Sequence, residues 1–202
     1  MIIDKSFIQG SDEWQKARIG IPTASEFDCL ITTKGEPSKS RLKYLYKLSA
    51  ERITGIKENG YKNENMERGN ILEAEARAFY ELENSCEVEQ VGICYLDEKK
   101  QVACSPDGLV GKDGLIEIKC PLSYTHVSYL LGGVLPIEYF QQIQGQLYIT
   151  GRKWCDFFSH YPGIKPFVFR VMPDKGFMAN LDVELRKFLK ELDEITKQIR
   201  GK

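Results

Sequence analysis

The sequence predicts an α/β fold, a mixed central β-sheet flanked by α-helices. Two observations carry the prediction. Apolar residues recur at helical spacing over several long segments, and shorter apolar or alternating runs between them read as strands. Their order is helices, a group of strands, a helix, two strands and a closing helix, the order of a sheet covered by helices. The chain has 202 residues, enough for one domain with a substantial core, and no repeat or long linker divides it.

Residues 11–18 read as a short helix with Ser11 as its cap and Trp14 as its anchor. Pro22-Thr23 breaks it, and Thr23 or Ser25 caps a further short helix that ends at Leu30. Residues 38–54 form a clear helix, with Leu42, Leu45, Leu48 and Ile53 near helical spacing and Gly55 at its end. Residues 59–65 are polar and read as a loop. Residues 67–82 make a second long helix, with Ile71, Leu72, Ala76, Phe79 and Leu82 as its buried stripe. Strands follow at 90–96, 101–105 and 115–119, and then an ambiguous segment, 123–131, that favours helix. Another helix starts near Pro136 and runs to about Thr150, before Gly151. Strands at 154–161 and 166–171 precede the closing helix, 179–199. There Leu181, Leu185, Phe188, Leu189, Leu192, Ile195 and Ile199 recur at helical spacing.

The most informative stretch is Ser105-Pro106-Asp107-Gly108, followed by Glu117-Ile118-Lys119. The run 101–105 reads as one strand of a hairpin, the glycine-rich stretch 108–114 as its turn, and 115–119 as the returning strand. Alternation puts Glu117 and Lys119 on one face and Ile116 and Ile118 on the other, toward the core, and Pro121 stops the strand. Two carboxylates and an ammonium group on one hairpin are what a magnesium-dependent phosphodiesterase needs. The carboxylates hold a hard cation, and the lysine orients the attacking water or helps deprotonate it. Isolated strings of this kind are also common as ordinary surface charge on a strand.

The bulk composition narrows the alternatives. Hydrophobic content is 42% and charged content 28%, normal for a globular domain. The formal net charge is −1, so no global basic signal points to nucleic acid, although a local positive groove would suffice. Cys29, Cys86, Cys94, Cys104, Cys120 and Cys155 are scattered without a C-x-x-C pair, which argues against zinc and for buried thiols. With no signal peptide, long apolar span or lipidation site, the expectation is a reduced, cytoplasmic protein without a membrane partner. His126 and His160 fall in no motif and are assigned no role.

Two helices carry further candidates. Glu73 lies beside the buried stripe of its helix, where it can reach a cleft edge; equally, it can be one more solvated glutamate, like Glu75, Glu81 and Glu83. The helix after Pro136 contains Gln141, Gln142, Gln144 and Gln146. A neutral amide near a phosphate can donate without adding charge, and the alternative is a polar helix face.

These residues carry a resemblance. The ordered markers are Trp14-Gln-Lys-Ala-Arg18-Ile-Gly20, Thr23-Ala-Ser25-Glu26, Arg68-Gly-Asn-Ile-Leu-Glu73, Ser105-Pro-Asp107-Gly, Glu117-Ile-Lys119-Cys-Pro121, Leu131-Gly-Gly133 and Tyr139-Phe-Gln-Gln142-Ile-Gln144. As a set they resemble the lambda exonuclease family, the YqaJ-like viral recombinase nucleases of the PD-(D/E)-x-K superfamily, over nearly the whole chain. The resemblance implies a restriction-endonuclease-like core. It implies Asp107 and Glu117 as the main metal carboxylates, the carbonyl of Ile118 as a backbone ligand, Lys119 as the catalytic lysine, Glu73 as the upstream carboxylate and Gln142 as the motif glutamine. It implies Mg2+, two ions roughly 4 Å apart that stabilise attacking and leaving oxygens, with Mn2+ as a substitute.

Matching in the same way, Arg18, Ser25 and Ser105 correspond to a pocket for the terminal 5′ phosphate, and an arginine fork with hydroxyls is sound phosphate chemistry in its own right. The implied activity is 5′→3′ digestion of one strand of linear double-stranded DNA to mononucleotides, leaving a 3′ overhang for strand annealing. The implied partners are double-stranded DNA ends, a single-strand annealing protein and two further copies in a homotrimeric ring, in a phage or prophage setting. Lys34, Lys39, Arg41, Lys43 and Lys47 read either as a DNA-facing patch or as a solvated helix face. Competing readings are a PD-(D/E)-x-K endonuclease and a non-catalytic DNA-end-binding protein, the latter disfavoured by the intact motif. An iron–sulfur variant of the fold is excluded, because no cysteine follows Cys155.

Overall fold

The structure, a computed structural model, describes residues 1–57 and 64–201 and has the mixed α/β architecture expected. A short strand, β1 (Ile2–Asp4), leads to helix α1 (Asp12–Ala17) and a 3-10 segment (Ala24–Cys29). Helices α2 (Arg41–Thr54) and α3 (Glu64–Asn84) follow. Then come β2 (Val88–Glu89), β3 (Ile93–Tyr95), β4 (Ala103–Cys104), β5 (Gly108–Val110) and β6 (Gly114–Lys119). After these lie α4 (Ser123–Gly132), a 3-10 turn (Ile137–Tyr139), α5 (Phe140–Thr150), β7 (Trp154–Tyr161), β8 (Ile164–Val171) and α6 (Lys175–Ile199).

The strands form two sheets. A three-stranded antiparallel sheet has the order β1-β3-β4, and a five-stranded sheet has the order β2-β5-β6-β7-β8. In the five-stranded sheet, among the described residues, β6 and β7 alone run parallel, because α4 and α5 carry the chain back between them; the other pairs are antiparallel. Strand β6 is covered on both faces. Leu115 and Phe157 join the main core with α2, α5 and α6, while Ile116, Ile118 and Phe158 join Ala76 and Tyr80 of α3 in a second cluster. The alternation expected for 115–119 therefore holds, but Glu117 faces α5 and not solvent, and is 1% exposed.

The expected hairpin needs correcting. The run 101–105 does not pair with 115–119: β4 pairs with β3, Cys94 opposite Cys104, in the other sheet. The partner of β6 is β5, Gly108 opposite Ile116 and Val110 opposite Gly114, so residues expected as turn form a strand. Gly108 lies there because its strand neighbour is too close for a side chain: a Cβ would sit 2.1 Å from Val88 Cγ1.

The stripe of α3 also differs. Ala76 and Tyr80 are buried, whereas Ile71 and Leu82 are each 77% exposed. At 3.6 residues per turn these two point about 120–140° away from Ala76. In α6 the apolar spacing holds from Leu181 to Leu192, Asp174 caps the helix by accepting from Phe177 N at 2.9 Å, and Ile199 is exposed. Pro166 falls inside β8, which is tolerated because β8 is an edge strand. Of the loop expected at 59–65, residues 59–63 lie outside the described residues, and Glu64 and Asn65 already belong to α3. Among the described residues no helix is long and apolar enough to cross a membrane.

Candidate active site

A cavity of roughly 160 Å³ opens where the two sheets, α1, the 3-10 segment and α5 converge. Its floor is the carboxylate pair. Glu117 is fixed through both oxygens: Oε1 accepts from Lys119 Nζ and from Gln142 Nε2, each at 2.6 Å, and Oε2 accepts from Gln146 Nε2 at 2.6 Å. The two glutamines lie one turn apart on α5 and so present to the same carboxylate. Asp107 sits just before β5, and its Oδ2 accepts from the backbone N–H of Ile118 at 2.6 Å. That bond ties the loop ahead of β5 to the strand carrying Glu117 and Lys119.

The charges are strongly coupled. Burial, and then the charge of Glu117, push the Asp107 carboxyl well above the usual carboxylate value, against the pull of Lys119. Burial works against the charge on Lys119, but Glu117 and Asp107 outweigh it and hold the ammonium protonated above its ordinary value. Two carboxylates thus face one ammonium, and paired carboxylate oxygens are the donor chemistry of a hard divalent cation. Gln146 also lines the cavity through the amide that holds Glu117, and its Oε1 is buried without a partner among the described residues. The residues fit such an ion. They do not form a closed cage: among the described residues no group of three His, Cys, Asp or Glu side chains is gathered for a metal.

The wall of the cavity is a polar pocket. Arg18, the C-cap of α1, lies over the Trp14 ring at 4.0 Å and donates through Nη2 to Ser25 Oγ at 3.0 Å and Thr23 Oγ1 at 3.3 Å. Burial lowers the arginine from its ordinary value, which leaves it charged. Ser105 Oγ accepts from Trp14 Nε1 at 3.0 Å. Gln9 Nε2 donates to the carbonyls of Val91 at 2.8 Å and Pro106 at 2.9 Å, which pins the Ser105–Asp107 segment from the far side. Wall and floor are held at a short distance by Gly145 of α5, where a Cβ would lie 2.4 Å from the Phe27 ring and 3.2 Å from Ala24 Cβ.

The cavity therefore unites Asp107, Glu117, Lys119, Gln142, Arg18, Ser25 and Ser105. It does not include Glu73, which pairs with Arg77 Nη2 one turn on at 2.5 Å, although its charge is felt at Asp107. Ile118 contributes its N–H to Asp107 and its side chain to the second core cluster. Gln146, Gln9 and Trp14 were not marked as site residues by the sequence. The four-glutamine helix held the signal for Gln146; Gln9 has no local signal. In the basic run, Arg41 is bonded to Glu191 at 2.8 and 2.9 Å and Lys47 to Glu26 at 2.6 Å, so those two are engaged within the chain. His126 is buried between Ser159 Oγ and the Lys165 carbonyl, a structural role, and His160 is buried beside Glu75. The cysteines are all free thiols.

A family model described as the YqaJ-like viral recombinase domain matches residues 13–153, a stretch that contains the cavity floor and wall. The chain belongs to this family. Among solved structures similar to this chain, the alkaline exonuclease LHK-Exo from Laribacter hongkongensis is 36% identical, with a TM-score of 0.85 over 94% of this chain and 96% of that one. The same enzyme in complex with dAMP gives 37% identity and a TM-score of 0.84 over the same shares. A phage-related exonuclease from Haemophilus somnus 129PT, 11% identical with a TM-score of 0.71 over 89% of this chain and 96% of that one, shares the fold. An uncharacterized protein of Acanthamoeba polyphaga mimivirus is 30% identical over 164 residues, 75% of this chain. The chain spans 29% of the length of that relative.

Proposed function

We propose that this YqaJ-like chain is a metal-dependent exodeoxyribonuclease that degrades linear double-stranded DNA from its 5′ ends to mononucleotides and leaves a 3′ overhang. One observation carries the reading: a carboxylate–lysine–glutamine floor and an arginine–hydroxyl wall share one cavity. The floor suits phosphodiester hydrolysis, and the wall suits a terminal phosphate. The relative crystallised with dAMP, a nucleoside 5′-monophosphate, supports a mononucleotide product.

Each side chain has a role in this reading. Asp107 and Glu117 would hold the ion together with the Ile118 carbonyl, hard oxygen donors that suit Mg2+. A bound ion would supply Lewis acidity toward the phosphate and a more acidic water. Gln142 and Gln146 keep Glu117 in one orientation. Lys119 carries its proton into the site and offsets charge that develops on the phosphate oxygens. Arg18, Ser25 and Ser105 hold the 5′ phosphate, so the next phosphodiester is presented to the floor. Glu73 keeps Oε1 on Arg77 and would join, as the upstream carboxylate, through its other oxygen. A homotrimeric ring, a single-strand annealing partner and cytoplasmic action in a host cell belong to the same proposal.

The test is digestion of end-labelled duplexes in Mg2+. Linear DNA with 5′-phosphate ends should yield mononucleotides, closed circles should resist, and Asp107→Ala should abolish both release and Mg2+ binding. Cutting of closed circles would replace this reading with an endonuclease. Equal digestion of 5′-hydroxyl and 5′-phosphate ends would remove the roles given to Arg18, Ser25 and Ser105.

A further inference from the structure

Trp14 touches both arms of the polar wall. One face of its indole carries the Arg18 guanidinium, whose central carbon lies 4.0 Å from the ring centroid. Its N–H is directed at Ser105 Oγ, 3.0 Å away, and at the Gly92 carbonyl, 3.1 Å away. The side chain is partly buried and packs against Ile93, Tyr95 and Ala103, so it is anchored in the three-stranded sheet. These contacts have a directional consequence. Ser105 uses a lone pair to accept from the indole, and its own hydroxyl hydrogen is left to donate elsewhere. Among the described residues Arg18 spends only Nη2, on Thr23 and Ser25, and its remaining N–H donors are uncommitted.

We infer that Trp14 is the positioning residue of the wall: its ring face holds Arg18 and its N–H orients Ser105, so that guanidinium and hydroxyl donate to one phosphate. The inference rests on the proposed 5′-phosphate role of that wall. Trp14 acts through these two groups, which it holds in place from within the cavity wall. The ring supplies the cation–π surface that keeps a half-buried arginine from swinging to solvent. The N–H supplies the orientation of the hydroxyl, and the two contributions separate by substitution.

The experiment is a comparison of kcat/KM on duplexes with 5′-phosphate and 5′-hydroxyl ends, read as a ratio so that loss of folded protein cancels. Trp14→Phe keeps a ring under Arg18 and deletes the N–H; it should lower the phosphate preference about five- to tenfold, the worth of one oriented hydrogen bond. The loss should fall on KM for phosphate ends. Ser105→Ala, which deletes the gripping hydroxyl itself, should lose at least as much, and the double variant no more than Ser105→Ala, because the indole N–H then has no hydroxyl to orient. Trp14→Leu, which removes ring and N–H, should lose more than Trp14→Phe. A wild-type protein with no phosphate preference would remove the reading of the wall, and this inference with it. A wild type with a preference that Trp14→Phe retains, or single losses that multiply in the double variant, would overturn the inference alone.

Discussion

Replacing Asp156 with alanine tests the clamp that fixes α3 to the sheet. Asp156 lies on β7 and is 2% exposed. Its Oδ2 accepts from the Tyr80 hydroxyl at 2.7 Å, and Arg170 of β8 donates to both oxygens through Nε and Nη2 at 2.8 Å each. Burial, and then the bond to Asp156, raise the Tyr80 hydroxyl far above its ordinary value, so it stays protonated and donates. The two parts of the loss differ in size. Without Asp156 the Tyr80 hydroxyl is left dry and unpaired, which costs about 1–3 kcal/mol. Arg170 is 53% exposed and returns to water, so its part is on the order of 0.5–1 kcal/mol, as for a surface pair.

Asp156→Ala should therefore cost about 1.5–4 kcal/mol, measured by urea unfolding followed by circular dichroism. Adding Tyr80→Phe removes the orphaned hydroxyl and should recover about 1 kcal/mol relative to the single variant. A loss below about 1 kcal/mol, or a double variant less stable than Asp156→Ala, would refute the reasoning.

Three further predictions concern the cavity. Asp107→Asn keeps an oxygen for the Ile118 N–H but removes the charge, and should lower turnover more than about a hundredfold, the upper end for partners one shell further from a metal; single-turnover digestion measures it. The Asp107 carboxyl is raised on folding from its ordinary 3.8, so the folded state holds its proton more tightly. That contribution to metal-free stability is present at low pH and is lost as pH climbs from 3.8 through the raised value, whereas divalent-ion affinity rises over the same window. Unfolding in chelator and calorimetric Mg2+ titration across pH should show both slopes, and Asp107→Asn should flatten them. Gly145→Ala forces Phe27 away from α5 and should cost about 1–3 kcal/mol in urea unfolding, with a weaker preference for 5′-phosphate ends because the 3-10 segment carrying Ser25 shifts.

Much of this was legible in the chain where the signal is local. The floor of the cavity is written in a strand and one helical turn: Glu117 and Lys119 alternate on β6, and Gln142 sits in a helix crowded with amides. The closing helix announces itself because its apolar residues recur at helical spacing along one stripe, which packs into the main core against α2 and α5. The pairing of β4 was not legible, since the runs ending at Cys104 and Val110 are equally apolar and Gly108 reads as a turn residue. Only the closeness of Val88 explains that glycine, and Val88 is placed by tertiary structure. Glu73 kept the right helix but not the cavity, because helical periodicity says nothing about the Arg77 beside it. Gln9 and Trp14 reach the site across separations of 97 and 91 residues, and no window of sequence reports such a contact.

The segment that Gln9 pins has a metrical consequence. Ser105 and Asp107 are joined by two peptide units, a reach of at most about 7 Å. On the proposed roles, one of them grips the end of a strand and the other helps cut it. The gap between grip and blade is then a gauge made of covalent bonds, with no hinge inside it, and the length of each fragment is set by the backbone and not by the timing of the reaction. A residue inserted after Pro106 would lengthen the gauge and change what is released, where a substitution in the floor would change only how fast.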